Sequence, residues 1–237
     1  MNLLLLPEAC TSLTLPRSDP RFGHIYSVLK MRVGDTLDVG YINGARGKGT
    51  IAQLNEDSME LSFTWGETAE ALSGLHAIIG LPRPQTARKL LQGLTTLGVG
   101  SMCFFLSDKG EPSYAESSLW TSDEWIRHLE EATAQAFSTH LPKISHAADL
   151  QEALKNAPAC SVGLDNYEAE GSLATWENTG KAVGFVVGSE RGFSAEERNV
   201  LRAHNIPLRH LGVRVLRTET AATTAASVLL AKTGYWD

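Results

Sequence analysis

From Leu75 onward, apolar runs of strand length alternate with segments of helical periodicity, and this alternation restricts the fold more than any other feature of the chain. Strands buried on both faces and joined by amphipathic crossovers are the pattern of a mostly parallel sheet covered by helices. Leu75–Leu81, Ser101–Ser107, Ala159–Leu164 and Val183–Gly188 read as strands, with a short one near Leu208. Pro84 stands where a first helical turn tolerates proline, which predicts a helix over Gln85–Leu97 that stops at Gly98. Further helices are predicted from Asp123 to about Ser138, over Ala195–His204 and over Thr218–Lys232. Thr121 with Glu124, and Ser194 with Glu197, have capping-box spacing.

Residues 1–72 follow another pattern. Short apolar alternations are broken by Asn43-Gly44 and Gly47-Lys48-Gly49, hairpin chemistry that supplies positive φ, so this part reads as a small β-barrel. His24–Met31 is its helix candidate, and the leucines before Pro7 read as a short buried strand rather than a leader or membrane segment. With 237 residues the chain suits two domains, here 1–72 and 73–237, with no repeat or low-complexity linker between them.

The three cysteines, Cys10, Cys103 and Cys160, are far apart and odd in number, which fits a reducing cytoplasm better than a disulfide framework. The seven histidines form no ligand spacing with cysteine or acid, so no metal site is expected. A net charge of -6 argues against a chain that coats nucleic acid indiscriminately. The acidity is concentrated, however: residues 111–180 hold three basic against twelve acidic side chains, which leaves 1–50, 80–110 and 181–237 locally positive.

Two segments carry candidate chemistry. In Gly184 to Ser194 a buried strand runs into a glycine-bearing loop, read either as a pocket edge or as an ordinary strand-to-helix turn; it lacks both the dinucleotide and the phosphate-loop fingerprints. In Leu211 to Ala221, arginines precede a helix whose N-terminal amides favour negative groups. That helix is rich in alanine, serine and threonine, which suits close packing against another segment or a partner subunit, with solvated arginines as the plainer reading.

Taken together, these segments resemble the family of bacterial 16S ribosomal RNA uridine-N3 methyltransferases, members of the SPOUT class. The likeness is carried by His24-Ile25-Tyr26-Ser27-Val28-Leu29-Lys30-Met31 with Gly34-Asp35, by Val187-Gly188-Ser189-Glu190-Arg191-Gly192-Phe193-Ser194, and by Leu211-Gly212-Val213-Arg214-Val215-Leu216-Arg217-Thr218-Glu219-Thr220-Ala221. It implies a PUA-like barrel that helps grip RNA and a trefoil-knotted α/β domain that binds S-adenosylmethionine. It also implies a homodimer and the small ribosomal subunit or its RNA as partner. By the same resemblance Leu164, Val187, Gly188, Glu190, Gly192, Leu211, Gly212, Val215, Leu216 and Thr220 would contact the cofactor. Arg217 and Thr218 would lie at the target base, and Arg21, His24, Lys30, Arg32 and Arg214 would hold RNA. Where the family reads Gly-Pro-Glu-Gly-Gly this chain has Ser189 for the proline and Arg191 for a glycine, and Thr96, Ser138 and His140 replace a family glutamate and two basic residues. These departures mark where the RNA target could diverge. Ribose methylation, a non-catalytic RNA-binding role and a nucleotide-dependent oxidoreductase are the competing functions.

Overall fold

In the computed structural model, which describes residues 2–68, 71–177, 180 and 182–236, the chain divides into two units. Residues 1–71 and 133–141 make the first, residues 72–132 and 142–237 the second.

In the first unit β1 (Leu4–Leu6), β2 (Ser12–Pro16), β3 (Thr36–Tyr41), β4 (Ala45–Leu54) and β5 (Ser58–Thr68) form one curled sheet in the order β1-β3-β4-β5-β2. β1 runs parallel to β3 and the other pairs are antiparallel. Period-2 alternation turns Val39, Ile51, Met59 and Leu61 inward, where they pack with Leu4, Leu6, Leu15 and Phe22. Asn43 takes the positive φ of the β3–β4 turn, at 57°. Gly47 does not: it stays in β4, where an added Cβ would lie 2.2 Å from the Thr64 carbonyl oxygen, so close strand approach explains this glycine. Residues 133–141 belong to this unit through the Thr139 carbonyl, which accepts from Asn43 N–H at 2.8 Å, and the buried Thr139 hydroxyl, which donates to Gly44 O at 2.7 Å.

The helix predicted over His24–Met31 begins earlier and stops sooner. The Asp19 carboxylate caps Arg21 N–H at 2.9 Å and Pro20 supplies a preset first turn, which starts α1 (Pro20–Gly23). A π-type turn, His24–Val28, follows, and Lys30 with φ 56° ends it.

The second unit contains β6 (Leu75–Gly80), α2 (Pro84–Thr96), β7 (Ser101–Phe105), α3 (Ser118–Thr121), α4 (Glu124–Gln135) up to residue 132, β8 (Lys143–Ala147) and α5 (Leu150–Leu154). β9 (Cys160–Leu164), β10 (Val183–Val187), α6 (Ala195–Ala203), β11 (Leu208–Arg209) and α7 (Thr218–Lys232) complete it. Its six strands are all parallel, in the order β11-β9-β10-β6-β7-β8. Ile78, Phe105 and Val186 pack under α5 and α6 with Leu154, Leu201 and Phe193. Ala77, Ile79 and Phe185 alternate with them and are equally buried, while α7 packs on β6, β10 and α2. The small residues of α7 permit that contact: a Cβ on Gly93 of α2 would lie 3.5 Å from Thr223 Oγ1.

The capping box at Ser194 and Glu197 forms as expected and starts α6. The one expected at Thr121 does not, because Thr121 lies in α3 with its hydroxyl on Ser117 O, and Ser122 Oγ instead accepts from Glu124 N–H. Among the described residues no helix is long and apolar enough to cross a membrane.

Candidate active site

β11, β9 and β10 lie side by side, so their carboxyl ends open onto one place, the usual ligand edge of a parallel sheet. Leu164 ends β9 and leads into Asp165–Tyr167; Val187 ends β10 and leads into residues 188–193; Arg209 ends β11 and leads into residues 211–217. These three walls, closed below by Thr218 and Ala221 of α7, enclose a cavity of about 190 Å³.

Each wall is held by specific bonds. Gly192 N–H closes a turn onto Ser189 O at 2.9 Å, with Gly192 at φ 67°. A Cβ on Gly188 would come within 2.8 Å of Gly192 C and 2.9 Å of Phe193 N, so the main chain folds against itself here and only glycine fits. The Glu190 carboxylate accepts from Arg83 N–H at 3.0 Å, and Lys109 Nζ donates to Phe193 O at 2.7 Å. In the β9 loop, Asp165 Oδ1 accepts from Tyr167 and Glu168 N–H while Oδ2 accepts from Arg198 Nε at 2.7 Å. Asp165 and Arg198 are both buried, an ion pair that locks this loop to α6. Asn166 Nδ2 donates to Arg214 O at 3.2 Å and so ties the β9 loop to the β11 loop.

Of the residues expected at a cofactor, Leu164, Val187, Gly188, Glu190, Gly192, Leu211, Val215 and Leu216 border the cavity, as does Thr218. Gly212, Thr220 and Arg217 are outside its wall. Gly212 sits at φ 108° within the β11 loop, Thr220 is exposed on the first turn of α7, and Arg217 is the exposed residue at the α7 N-cap position. Glu219 pairs with Lys89 at 3.0 Å. Desolvation opposes its ionisation, but its own backbone N–H, Lys89 and Arg217 outweigh that and hold the carboxyl below its ordinary range.

The expected RNA contacts divide between the units. Arg21, His24, Lys30 and Arg32 lie in the first and Arg214 in the second. Arg21 is engaged by Asp19 at 2.7 Å, Arg32 stands 5.9 Å from the Tyr26 ring centroid, and Lys30 and Arg214 are exposed. Among the described residues His24 Nε2 is buried without a hydrogen-bond partner. Asp165, Asn166, Tyr167 and Arg209 also line the cavity and were not anticipated. Their one sequence signal is position, directly after an apolar strand, and it becomes specific only when the strand order is known.

The RNA methyltransferase domain family matches residues 69–230, and the RNA methyltransferase PUA domain family matches residues 18–64. The chain is 31% identical to the ribosomal RNA small subunit methyltransferase E of Treponema pallidum, over all of this chain and 93% of that one. It is 29% identical to ribosomal RNA small subunit methyltransferase E 1 of Borreliella burgdorferi, over 98% of each. The fold matches a crystal structure of the ribosomal RNA small subunit methyltransferase E of Neisseria gonorrhoeae bound to S-adenosyl methionine, with TM-score 0.79, 20% identity and 98% and 97% coverage. With a family model spanning more than half its length and a relative this similar from end to end, the chain belongs to the RNA methyltransferase family.

Proposed function

We propose that this protein transfers a methyl group from S-adenosylmethionine to N3 of a uridine in small-subunit ribosomal RNA, as a cytoplasmic homodimer whose first unit helps grip the RNA. The observation that carries this reading is the cavity at the carboxyl ends of β9, β10 and β11, with its glycine-only turn and with Arg217 exposed just before Thr218 of its wall. The residues fit the cofactor: Leu164, Val187, Leu211, Val215 and Leu216 offer apolar surface, and the Gly188–Gly192 turn offers main-chain polar groups where side chains are excluded. When bound, the cofactor supplies a sulfonium methyl, an electrophile whose transfer needs chiefly an aligned nucleophile.

The chain then has one electrostatic task. Uridine N3 must lose a proton before it can attack, and negative charge spreads over the uracil carbonyls as it does so. Among the described residues the cationic Arg217 side chain makes no cap hydrogen bond, which leaves its donors to stabilise that charge. Thr218, the next residue, is buried and lines the cavity, which puts it within the wall that the target base would approach. Neither motif acid suits the role of base: Glu190 is committed to Arg83 N–H, and Glu219, against desolvation, is held ionised by its own backbone N–H and by Lys89, which weakens its affinity for a proton. Solvent therefore takes the proton. Arg217→Ala is expected to lower the single-turnover methylation rate at saturating RNA and cofactor by roughly 10²-fold. An unchanged rate removes Arg217 from the chemistry, and calorimetry showing no S-adenosylmethionine binding by the intact protein overturns the methyltransferase reading.

A further inference from the structure

We propose that a second, cationic pocket adjoining the cavity binds a phosphate of the RNA beside the target nucleotide, with Arg191 as its principal contact; this rests on the methyltransferase reading above. The pocket, about 230 Å³, opens between the start of α2, the segment after β7 and the tip of the β10 loop. Arg83, Lys109, Tyr114 and Glu111 line it, and Glu190 and Arg191 form a wall that it shares with the methyl-donor cavity. The Ser189–Gly192 turn explains the sharing: Glu190 and Arg191 are its two central residues, and a one-turn partition separates the two spaces.

The charges in this pocket favour an anion. Glu190 is occupied by Arg83 N–H, and Lys109 spends one donor on the neutral Phe193 carbonyl, which leaves its charge uncompensated. Among the described residues the Arg83 side chain makes one hydrogen bond, from Nε to Thr86 Oγ1 at 3.3 Å. Arg191 is exposed and, among the described residues, has no hydrogen-bond or ion-pair partner. Three cations thus face a space beside the cavity against two carboxylates, Glu190 on Arg83 N–H and Glu111 on the Ser113 hydroxyl at 3.3 Å, and two of the cations are guanidinium forks suited to phosphate oxygens. Tyr114 adds a half-buried ring on which a neighbouring base can stack. A diffusible phosphate would satisfy the same groups, but a phosphodiester is favoured because the wall is common to the site where the RNA base must present its N3.

The test compares the intact protein with Arg191→Ala and Arg191→Lys, using small-subunit ribosomal RNA as substrate and S-adenosylmethionine in calorimetry. Arg191 is exposed and unpartnered, so neither change threatens the fold. Arg191→Ala should raise KM for RNA about tenfold and reduce the slope of log affinity against log salt by about one, with kcat and cofactor affinity within twofold of the parent. Arg191→Lys should restore the salt slope. An unchanged KM and slope overturns the proposal, as does a KM effect abolished by millimolar inorganic phosphate in the parent, which would make the site one for free phosphate. A parallel fall in cofactor affinity also overturns it by assigning Arg191 to the first cavity. If the parent binds no S-adenosylmethionine the methyltransferase reading fails, whereas the RNA salt slope still decides whether Arg191 contacts phosphate.

Discussion

Two residues of the cavity wall are expected to fail in different ways when changed. Asp165 is 2% exposed at its side chain and holds both Arg198 and two loop amides, so Asp165→Ala strips the buried guanidinium of its close, hydrogen-bonded partner and leaves it only the more exposed Glu168 at 3.6 Å. A loss of about 3–5 kcal/mol in chemical denaturation is expected, and a loss below about 1 kcal/mol would show that the pair is dispensable. Gly188→Ala instead forces a Cβ against main chain, at 2.8 Å from Gly192 C, which cannot swing aside as a side chain would. The turn must open, and S-adenosylmethionine affinity should fall roughly 5- to 150-fold in calorimetry for a strain of order 1–3 kcal/mol. Undiminished affinity would show that the turn does not shape the cofactor site. Neither dependence was legible in the sequence. Asp165 and Arg198 are 33 residues apart and meet only because β9 and α6 are brought together, and although the resemblance singles out Gly188, the main-chain approach that demands glycine there shows only once its neighbours across the turn are known.

Among the elements, those with strong local signals were legible. Helix α7 runs over Thr218–Lys232 as expected, and Pro84 and Gly98 bracket α2 as their chemistry requires. β8, Lys-Ile-Ser-His-Ala, escaped notice because an edge strand with polar faces lacks the apolar run that marks central strands, and five-residue α5 is too short to show periodicity. Helix packing also creates a pH dependence that spacing could not reveal. Arg88 of α2 donates to Glu124 of α4 at 2.5 Å; this bond, opposed by desolvation and aided by His128, holds the Glu124 carboxyl down to about 2. A depressed folded-state value means that the contribution is fully present above the ordinary value of 4.5 and is lost as pH falls towards about 2. Thermal melts of the parent and Glu124→Gln should therefore differ near neutrality and converge across that window. A gap constant down to about pH 2 would show that the bond does not select the ionised form.

For the whole molecule, the exposed apolar groups nearest the cavity bear on the proposed homodimer. Val213 is fully exposed, Val215 and Tyr167 are each 77% exposed, and the loops that carry them are joined by Asn166 and Arg214. Such residues gain most from a partner surface. The double change Val213→Asp with Val215→Asp should weaken self-association at least about tenfold in sedimentation equilibrium, and a parent that sediments as a monomer at micromolar concentration would refute the dimer. The parallel sheet was legible because it rests on a change of periodicity along the chain, but the strand order was not, since registers between distant segments leave no local trace. That order bears on synthesis. β10 sits between β9 and β6, so a nascent chain that has reached Ala182 carries two strand edges facing an unfilled gap. Filling it also delivers the Gly188–Gly192 turn, and the floor follows with α7. A growing polypeptide is thus ligand-free and prone to sticking at those edges until β10 emerges, and sheet closure and assembly of the cavity wall belong to one late event.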